Sequence, residues 1–284
     1  MRITDRDRFL LSLLRRYHLT TRLIRELSVI CGQPFRDQGN LSKCLGRLEG
    51  AGFLKRKKLL ISGENYHFLT NAGVELSKTN DVRLSPRATS PIKPALESHE
   101  LLLSIFMTLV EISCHDLKVP FPYFLREGQF TADVKIDDNT FRLKPDGVII
   151  LKVKGKHRVF FLEIDRSTET VKGANHINTK SFEAKIDRYT AFYDQAKEHP
   201  LLKDLEFSGF RVITMCLTKE RMENLLEVAR KKGKKGMFCF SHVGLVIEGD
   251  VTTANDWNYR LRNVISSKTF LYPGGNNLES ILAR

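Results

Sequence analysis

Between Asn80 and Leu96 the chain reads Asn-Asp-Val-Arg-Leu-Ser-Pro-Arg-Ala-Thr-Ser-Pro-Ile-Lys-Pro-Ala-Leu, with three prolines and no periodic apolar face. Proline lacks a backbone donor and pushes its predecessor out of the helical region, so neither a helix nor a central strand runs through this stretch. The segment predicts a linker over 81–96 between two folding regions. Residues 1–80 show a helical period; beyond the linker, one apolar helix is followed by short runs rich in Val, Ile and Phe. The expected fold class is mixed α/β, with a small N-terminal domain at 1–80, a larger domain at 97–250 and a tail at 251–284 without a clear element.

In the first region Phe9, Leu10, Leu13 and Leu14 recur at helical spacing behind a capping box of Thr4 and Asp7. Thr20 or Thr21 opens a second short helix through Leu23, Ile24 and Leu27. Asn40 is expected to cap a third, with Leu41, Cys44, Leu45 and Leu48 on one face and Gly50 and Gly52 at its end. Two strands then flank Ser62-Gly63-Glu64-Asn65, and Thr70 starts a fourth helix. The chain carries 46 Lys plus Arg against 33 Asp plus Glu, a net charge of +13, and residues 1–90 hold +9 of it. Such clustering favours a polyanionic partner, because basic groups release condensed counterions when they neutralise phosphates.

Three helices followed by a basic two-stranded ribbon resemble a winged helix-turn-helix domain, with Arg47-Leu48-Glu49-Gly50-Ala51-Gly52-Phe53-Leu54 as the passage from third helix to wing. The resemblance implies that the third helix enters a major groove, where Asn40, Ser42, Lys43 and Arg47 reach base edges or phosphates. Lys55, Arg56, Lys57 and Lys58 would then lie across the adjacent backbone. The competing reading makes the domain a protein docking surface and the basic run a solvated strand edge. No run approaches the roughly 18 to 20 apolar residues that span a bilayer, and the N-terminus is too charged for a signal peptide, so a cytoplasmic protein without a membrane partner is expected. Cys31, Cys44, Cys114, Cys216 and Cys239 form no C-x-x-C pair, which argues against a zinc ribbon or disulfide framework and for buried thiols.

Beyond the linker, Leu101, Leu102, Ile105, Phe106 and Leu109 predict a helix over 98–113. Strands are expected at 123–130, 141–152, 158–165, 211–217 and 237–241, with helices at 181–198 and 219–231, giving an α/β sandwich around a mixed sheet. Chemistry is concentrated in Lys144-Pro145-Asp146-Gly147-Val148 and in Phe161-Leu162-Glu163-Ile164-Asp165-Arg166. Residues two apart on a strand share a face, so Glu163 and Asp165 project together and Phe160, Leu162 and Ile164 oppose them. Asp146 joins them if the strands pair in register. Three gathered carboxylates repel one another unless a hard divalent cation neutralises them, and Mg²⁺ or Mn²⁺ suits such oxygen ligands. The metal would lower the pKa of a bound water and stabilise charge on a phosphodiester. The plainer alternative pairs these acids with Arg142, Arg158 or Arg166.

Pro145-Asp146, a hydrophobic strand and Glu163-x-Asp165 resemble the core of PD-(D/E)XK nucleases. The ordered set is more specific: the winged domain, His99-Glu100 opening a helix, Lys-Pro-Asp-Gly-Val, Phe-Leu-Glu-Ile-Asp-Arg-Ser-Thr-Glu and Lys185-Ile186-Asp187-Arg188-Tyr189. Together these resemble the replication-relaxation family, which includes the MobC-like mobilisation relaxases of plasmids and integrative elements. The resemblance implies a restriction-endonuclease-like sandwich and metal-dependent DNA nicking that initiates mobilisation or replication, with Asp146, Glu163 and Asp165 as metal ligands. The implied partners are double-stranded DNA at an origin of transfer or replication and other relaxosome or coupling proteins. A homodimer on a palindromic site is compatible with this, although the sequence does not fix the oligomeric state. One departure stands out: Asp165 occupies the place where these nucleases usually carry lysine. In some members that lysine comes from the following helix, which makes Lys185 the candidate for holding the attacking water or shielding transition-state charge. Glu100 would approach from the first helix of the domain, and Tyr189 would be the nucleophile if the cut strand is held covalently, as in relaxases of other families. The alternative function is a non-catalytic DNA-binding accessory factor or transcriptional regulator with a degenerate nuclease-like domain.

Overall fold

The computed structural model describes residues 2–60, 63–77, 88–120, 123–166, 171, 181–234, 236–248, 260–261, 270 and 273. It is a mixed α/β protein whose chain divides into two compact units, one built on Met1–Ile112 and one on Ser113–Gly249.

The first unit opens with α1 (Asp5–Arg16), where the Thr4 hydroxyl accepts the Asp7 N–H and the Asp7 carboxylate accepts the Thr4 N–H at 2.9 Å. This is the expected reciprocal cap, and it satisfies two donors that a helix N-terminus otherwise leaves bare. After β1 (Leu19–Thr20), the Thr20 hydroxyl caps α2 (Thr21–Ile30). The third helix, α3 (Gln38–Gly50), is capped by Asp37 and not by Asn40. Asp37 is in extended backbone, and its Oδ1 accepts the Asn40 N–H at 2.8 Å; Asn40 is already inside the first turn. Leu41, Leu45 and Leu48 are buried on one face, while Ser42, Lys43 and Arg47 are exposed on the other.

β2 (Leu54–Lys58) and β3 (Asn65–Leu69) pair antiparallel from Leu54↔Leu69 to Lys58↔Asn65, in a sheet ordered β1-β3-β2. α4 (Asn71–Leu76), capped by Thr70, lies so close to this ribbon that a Cβ on Gly73 would stand 1.9 Å from the Phe53 carbonyl oxygen. α5 (Glu97–Asp116) begins where the linker is predicted to end, but most of it belongs with the first unit. Tyr17 donates its hydroxyl to Glu111 at 2.6 Å, Arg16 forms an ion pair with the same carboxylate, and the Leu60 N–H donates to Glu97 at 2.7 Å. The unit boundary therefore falls at 112/113 and not at 97, because the polar groups buried along α5 find their partners on α1 and the β2–β3 hairpin. Within the predicted linker, 81–87 lies outside the described residues.

The second unit runs β4 (Tyr123–Arg126), β5 (Ala132–Ile136), β6 (Asn139–Leu143), β7 (Gly147–Val153), β8 (Lys156–Asp165), α6 (Phe182–Tyr193), β9 (Phe210–Cys216), α7 (Lys219–Lys232) and β10 (Phe238–His242). Its main sheet is ordered β10-β9-β8-β7-β4; β4, β7 and β8 pair antiparallel, and β9 and β10 add in parallel. β5 and β6 form a separate hairpin. The strand expected over 141–152 is thus two strands, broken at Lys144-Pro145-Asp146, where Pro145 has no N–H to give to a ladder. β5 was not foreseen, nor was the pairing of Ile247–Glu248 with Arg260–Leu261 in the region read as featureless. Val159 and Phe161 of β8 face α6 and α7, where Phe161 meets the rings of Phe130, Tyr189, Phe192 and Phe210. Each such buried aromatic contributes about 2 kcal/mol of transfer free energy, which seats α6 firmly against β8. None of the five cysteines is in a disulfide; Cys114, Cys216 and Cys239 are buried, and Cys31 and Cys44 are only half-buried. Among the described residues no helix is long and apolar enough to cross a membrane.

Candidate functional site

The strand alternation that puts Val159 and Phe161 in the core carries Glu163 and Asp165 onto the same face at the end of β8. β7 enters the sheet at Gly147, opposite Leu162, so Asp146 lies beside Glu163. Two backbone bonds fix it there: the Asp146 N–H donates to the Leu162 carbonyl at 3.0 Å, and the Ile164 N–H donates to Asp146 Oδ2 at 2.8 Å. The break at Pro145 is what frees Asp146 from a regular ladder and lets its carboxylate take a strand amide instead.

α6 supplies the cation. The Ser181 hydroxyl accepts the Ala184 N–H and sets the helix start, and the stripe Phe182, Ile186, Tyr189 and Phe192 is buried against the sheet. Lys185 and Tyr189, one turn apart, therefore reach the same carboxylate. Lys185 Nζ lies 2.8 Å from Glu163 Oε2, and the Tyr189 hydroxyl donates to Glu163 Oε1 at 2.6 Å. Burial pushes the Glu163 carboxyl up, Lys185 draws it back and the charge of Asp146 raises it again; the net direction is upward. Tyr189 is pushed well above its ordinary value by burial and then by the charge of Glu163, so it stays a protonated donor. Its side chain is fully buried. A covalent nucleophile needs an open path to the phosphodiester and must lose its proton, and Tyr189 meets neither condition; its position suits orienting Glu163.

Asp165 is held differently. Arg221, near the start of α7, binds it in bidentate fashion, Nε to Oδ1 at 2.8 Å and Nη2 to Oδ2 at 2.9 Å. Both carboxylate oxygens are therefore taken up by a guanidinium, the geometry that makes such pairs strong. The expected ligand trio is not gathered: among the described residues no group of three or more His, Cys, Asp or Glu side chains is arranged to hold a metal ion. The donors that fit a hard cation are Asp146 and Glu163, since Mg²⁺ is commonly held by one or two carboxylates with water completing its shell. Arg221 escaped sequence reasoning because it lies 56 residues from Asp165 and carries no local signal. Of the arginines considered as alternative partners, Arg142 pairs with Asp133 at 3.1 Å. Glu100 belongs to the first unit, where it is buried with its carboxylate 4.0 Å from His18 Nδ1. His99 is buried in the same helix.

The basic residues singled out in the first unit are distributed over α3 and β2. Asn40 donates its side-chain amide to Asp37 at 3.0 Å, and Arg47 forms an ion pair with the buried Asp7. Burial opposes the charge of Asp7, but hydrogen bonds from Thr4 and Arg47 outweigh it and leave the carboxyl below its usual value. Arg56 pairs with Glu49 at 3.1 Å. Lys55, Lys57 and Lys58 are exposed and form no ion pair among the described residues.

No curated protein and no solved structure matches the chain. A family model does, the one described as replication-relaxation, over residues 10–202, a span that covers most of the first unit, part of the second and every residue of the Asp146, Glu163, Lys185 and Tyr189 arrangement. With more than half of its length covered by that model, the chain belongs to the replication-relaxation family.

Proposed function

We propose that the protein nicks duplex DNA with the help of Mg²⁺ or Mn²⁺, initiating replication or mobilisation of the element that encodes it. The observation that carries this reading is the convergence of Asp146, Glu163 and Lys185 at the end of β8. Two carboxylates would hold the cation, whose chemistry is to acidify a bound water and offset charge on the phosphodiester. Lys185 holds Glu163 in place and offers its ammonium to the attacking water or to the developing negative charge. Tyr189 fixes the orientation of Glu163. Read in this way, the second unit is a PD-(D/E)XK-like nuclease domain that takes its lysine from α6, and the Asp165–Arg221 pair closes the strand end where lysine usually stands.

The first unit would act as a winged helix-turn-helix module. α3 presents Ser42, Lys43 and Arg47 on its exposed face, and β2 presents Lys55, Arg56, Lys57 and Lys58, which supply affinity for phosphates irrespective of sequence. The partners of this reading are duplex DNA at an origin of transfer or replication and other relaxosome or coupling proteins.

A second reading is favoured by one observation: Asp165 replaces the expected lysine and is neutralised by Arg221, as in a nuclease core that has lost its activity. The protein would then be a DNA-binding accessory factor or transcriptional regulator. Supercoiled DNA of the parent replicon, incubated with the full chain in EDTA, Mg²⁺ or Mn²⁺, separates the two. Metal-dependent open-circle product that disappears in Glu163→Gln supports the nuclease; intact supercoils despite demonstrated binding support the accessory factor.

A further inference from the structure

The β7–β8 hairpin carries a second dense basic group outside the site. Lys152, Lys154 and Lys156 are all exposed. Lys154 and Gly155 form the connecting turn with φ of 50° and 82°, the left-handed pair that a tight two-residue hairpin turn requires. Among the described residues the pairing of β7 with β4 ends at Ile150, and the pairing of β8 with β9 starts at Val159. Leu151–Val153 and Lys156–Arg158 pair with each other, the His157 N–H donates to the Glu206 carbonyl at 2.9 Å, and Leu151 is buried, so the ribbon is anchored at its base while its turn and three lysines face solvent.

The charges at this tip differ from the other lysine-rich stretch of the unit. At the end of α7, Lys231 pairs with Glu227 at 3.0 Å, Lys232 with Asp187 at 2.6 Å and Lys234 with Asp194 at 3.3 Å. Those lysines are neutralised within the fold. Lys152, Lys154 and Lys156 form no ion pair among the described residues, the same condition as Lys55, Lys57 and Lys58 on β2. A cationic tip of this kind can neutralise phosphates and release the counterions condensed on a nucleic acid.

We infer that the β7–β8 hairpin tip is a phosphate-backbone contact for duplex DNA, a binding element of the second unit separate from Asp146, Glu163 and Lys185. It rests on the DNA-acting reading above and extends it. Glu163 lies seven residue steps along β8 from Lys156, which at about 3.3 Å per step puts the tip roughly 23 Å from the site. That distance corresponds to about seven base pairs along a duplex at roughly 3.4 Å per step. The tip thus grips the backbone well away from the scissile bond, at the opposite end of β8.

The test is equilibrium binding of the full chain to a fluorescent duplex over a potassium chloride series. In the Lys152→Ala/Lys154→Ala/Lys156→Ala variant the slope of log affinity against log salt is expected to become shallower by about 2 to 3, since each phosphate contact contributes about 0.9. Thermal unfolding should be unchanged, and Lys→Arg replacements at the same three positions should restore the slope. A wild-type protein that binds duplex with a slope the alanine variant leaves intact overturns the hairpin contact alone. A wild-type protein that does not bind duplex at all overturns the DNA reading together with it.

Discussion

Glu111 of the first unit and Glu163 of the second carry the same three-part arrangement. Each is a buried carboxylate that accepts a tyrosine hydroxyl at 2.6 Å, Tyr17 in one case and Tyr189 in the other, and each is paired with a cation, Arg16 or Lys185. In each, burial is the leading influence and the carboxyl is raised. The differences lie at the margins. The Glu111 side chain is 0% exposed, its cation is a guanidinium, and the set ties α1 to α5. Glu163 has Asp146 beside it, and its cation is a lysine whose side chain is 22% exposed. A raised buried carboxyl therefore does not by itself mark a site. What separates a lock from a candidate site is a second carboxylate, which makes the first expensive to ionise.

This contrast can be broken most sharply by stability. Glu111→Ala removes the acceptor shared by the buried Tyr17 hydroxyl and the half-buried Arg16 and is expected to cost about 3 kcal/mol in urea unfolding. Glu163→Gln keeps an acceptor for Tyr189, relieves repulsion from Asp146 and leaves Lys185 able to turn to water, so its cost should stay within roughly 1 to 2 kcal/mol. Equal losses from the two substitutions would mean that Glu163 is a structural lock as well.

The first unit should also be the acid-sensitive one. His67, buried on β3 with Thr21 as its hydrogen-bond partner at 2.9 Å, is pushed down to about 4 by burial and by the nearby Arg56. Its folded value lies below the ordinary 6.5, so the neutral ring stabilises the fold above that pH, and the contribution is lost as pH falls through the folded value. The loss amounts to roughly 3 kcal/mol between those limits. Urea unfolding at a series of pH values should show this slope, and His67→Phe should flatten it.

A smaller effect on the fold is expected at Lys185. Lys185→Met should cost about 1 to 2 kcal/mol, because the buried Glu163 loses its cation but keeps the Tyr189 hydroxyl, and should reduce nicking by about 100-fold or more if the ammonium faces the reacting group. Unaltered nicking would reduce Lys185 to a charge partner of Glu163.

How much of this was legible in the sequence depends on the range over which each feature is encoded. The Thr4–Asp7 and Thr20 caps lie within three residues of the amides they satisfy, and they were readable. The convergence of Asp146, Glu163 and Lys185 was readable in so far as strand alternation and helix periodicity orient their side chains. Pro145 should have split the strand predicted over 141–152, and Asp137-Asp138-Asn139, with Asp137 at φ 52°, was a turn signal that revealed β5 and β6 only in hindsight. The allegiance of α5 and the capture of Asp165 were not legible. The partners Tyr17 and Glu111 are 94 residues apart and Arg221 and Asp165 are 56 apart, with no local pattern joining them. Three carboxylates in sequence looked like a trio, and only the packing of α7 showed one of them neutralised by arginine.

The most direct test of a two-carboxylate site is a titration of the full chain with Mn²⁺, followed by the paramagnetic signal of the free ion. The wild type and Asp165→Asn should bind the ion alike, whereas Asp146→Asn and Glu163→Gln should each weaken binding by about 10-fold or more. Binding that survives both of the latter substitutions, or that fails only with Asp165→Asn, would contradict the assignment.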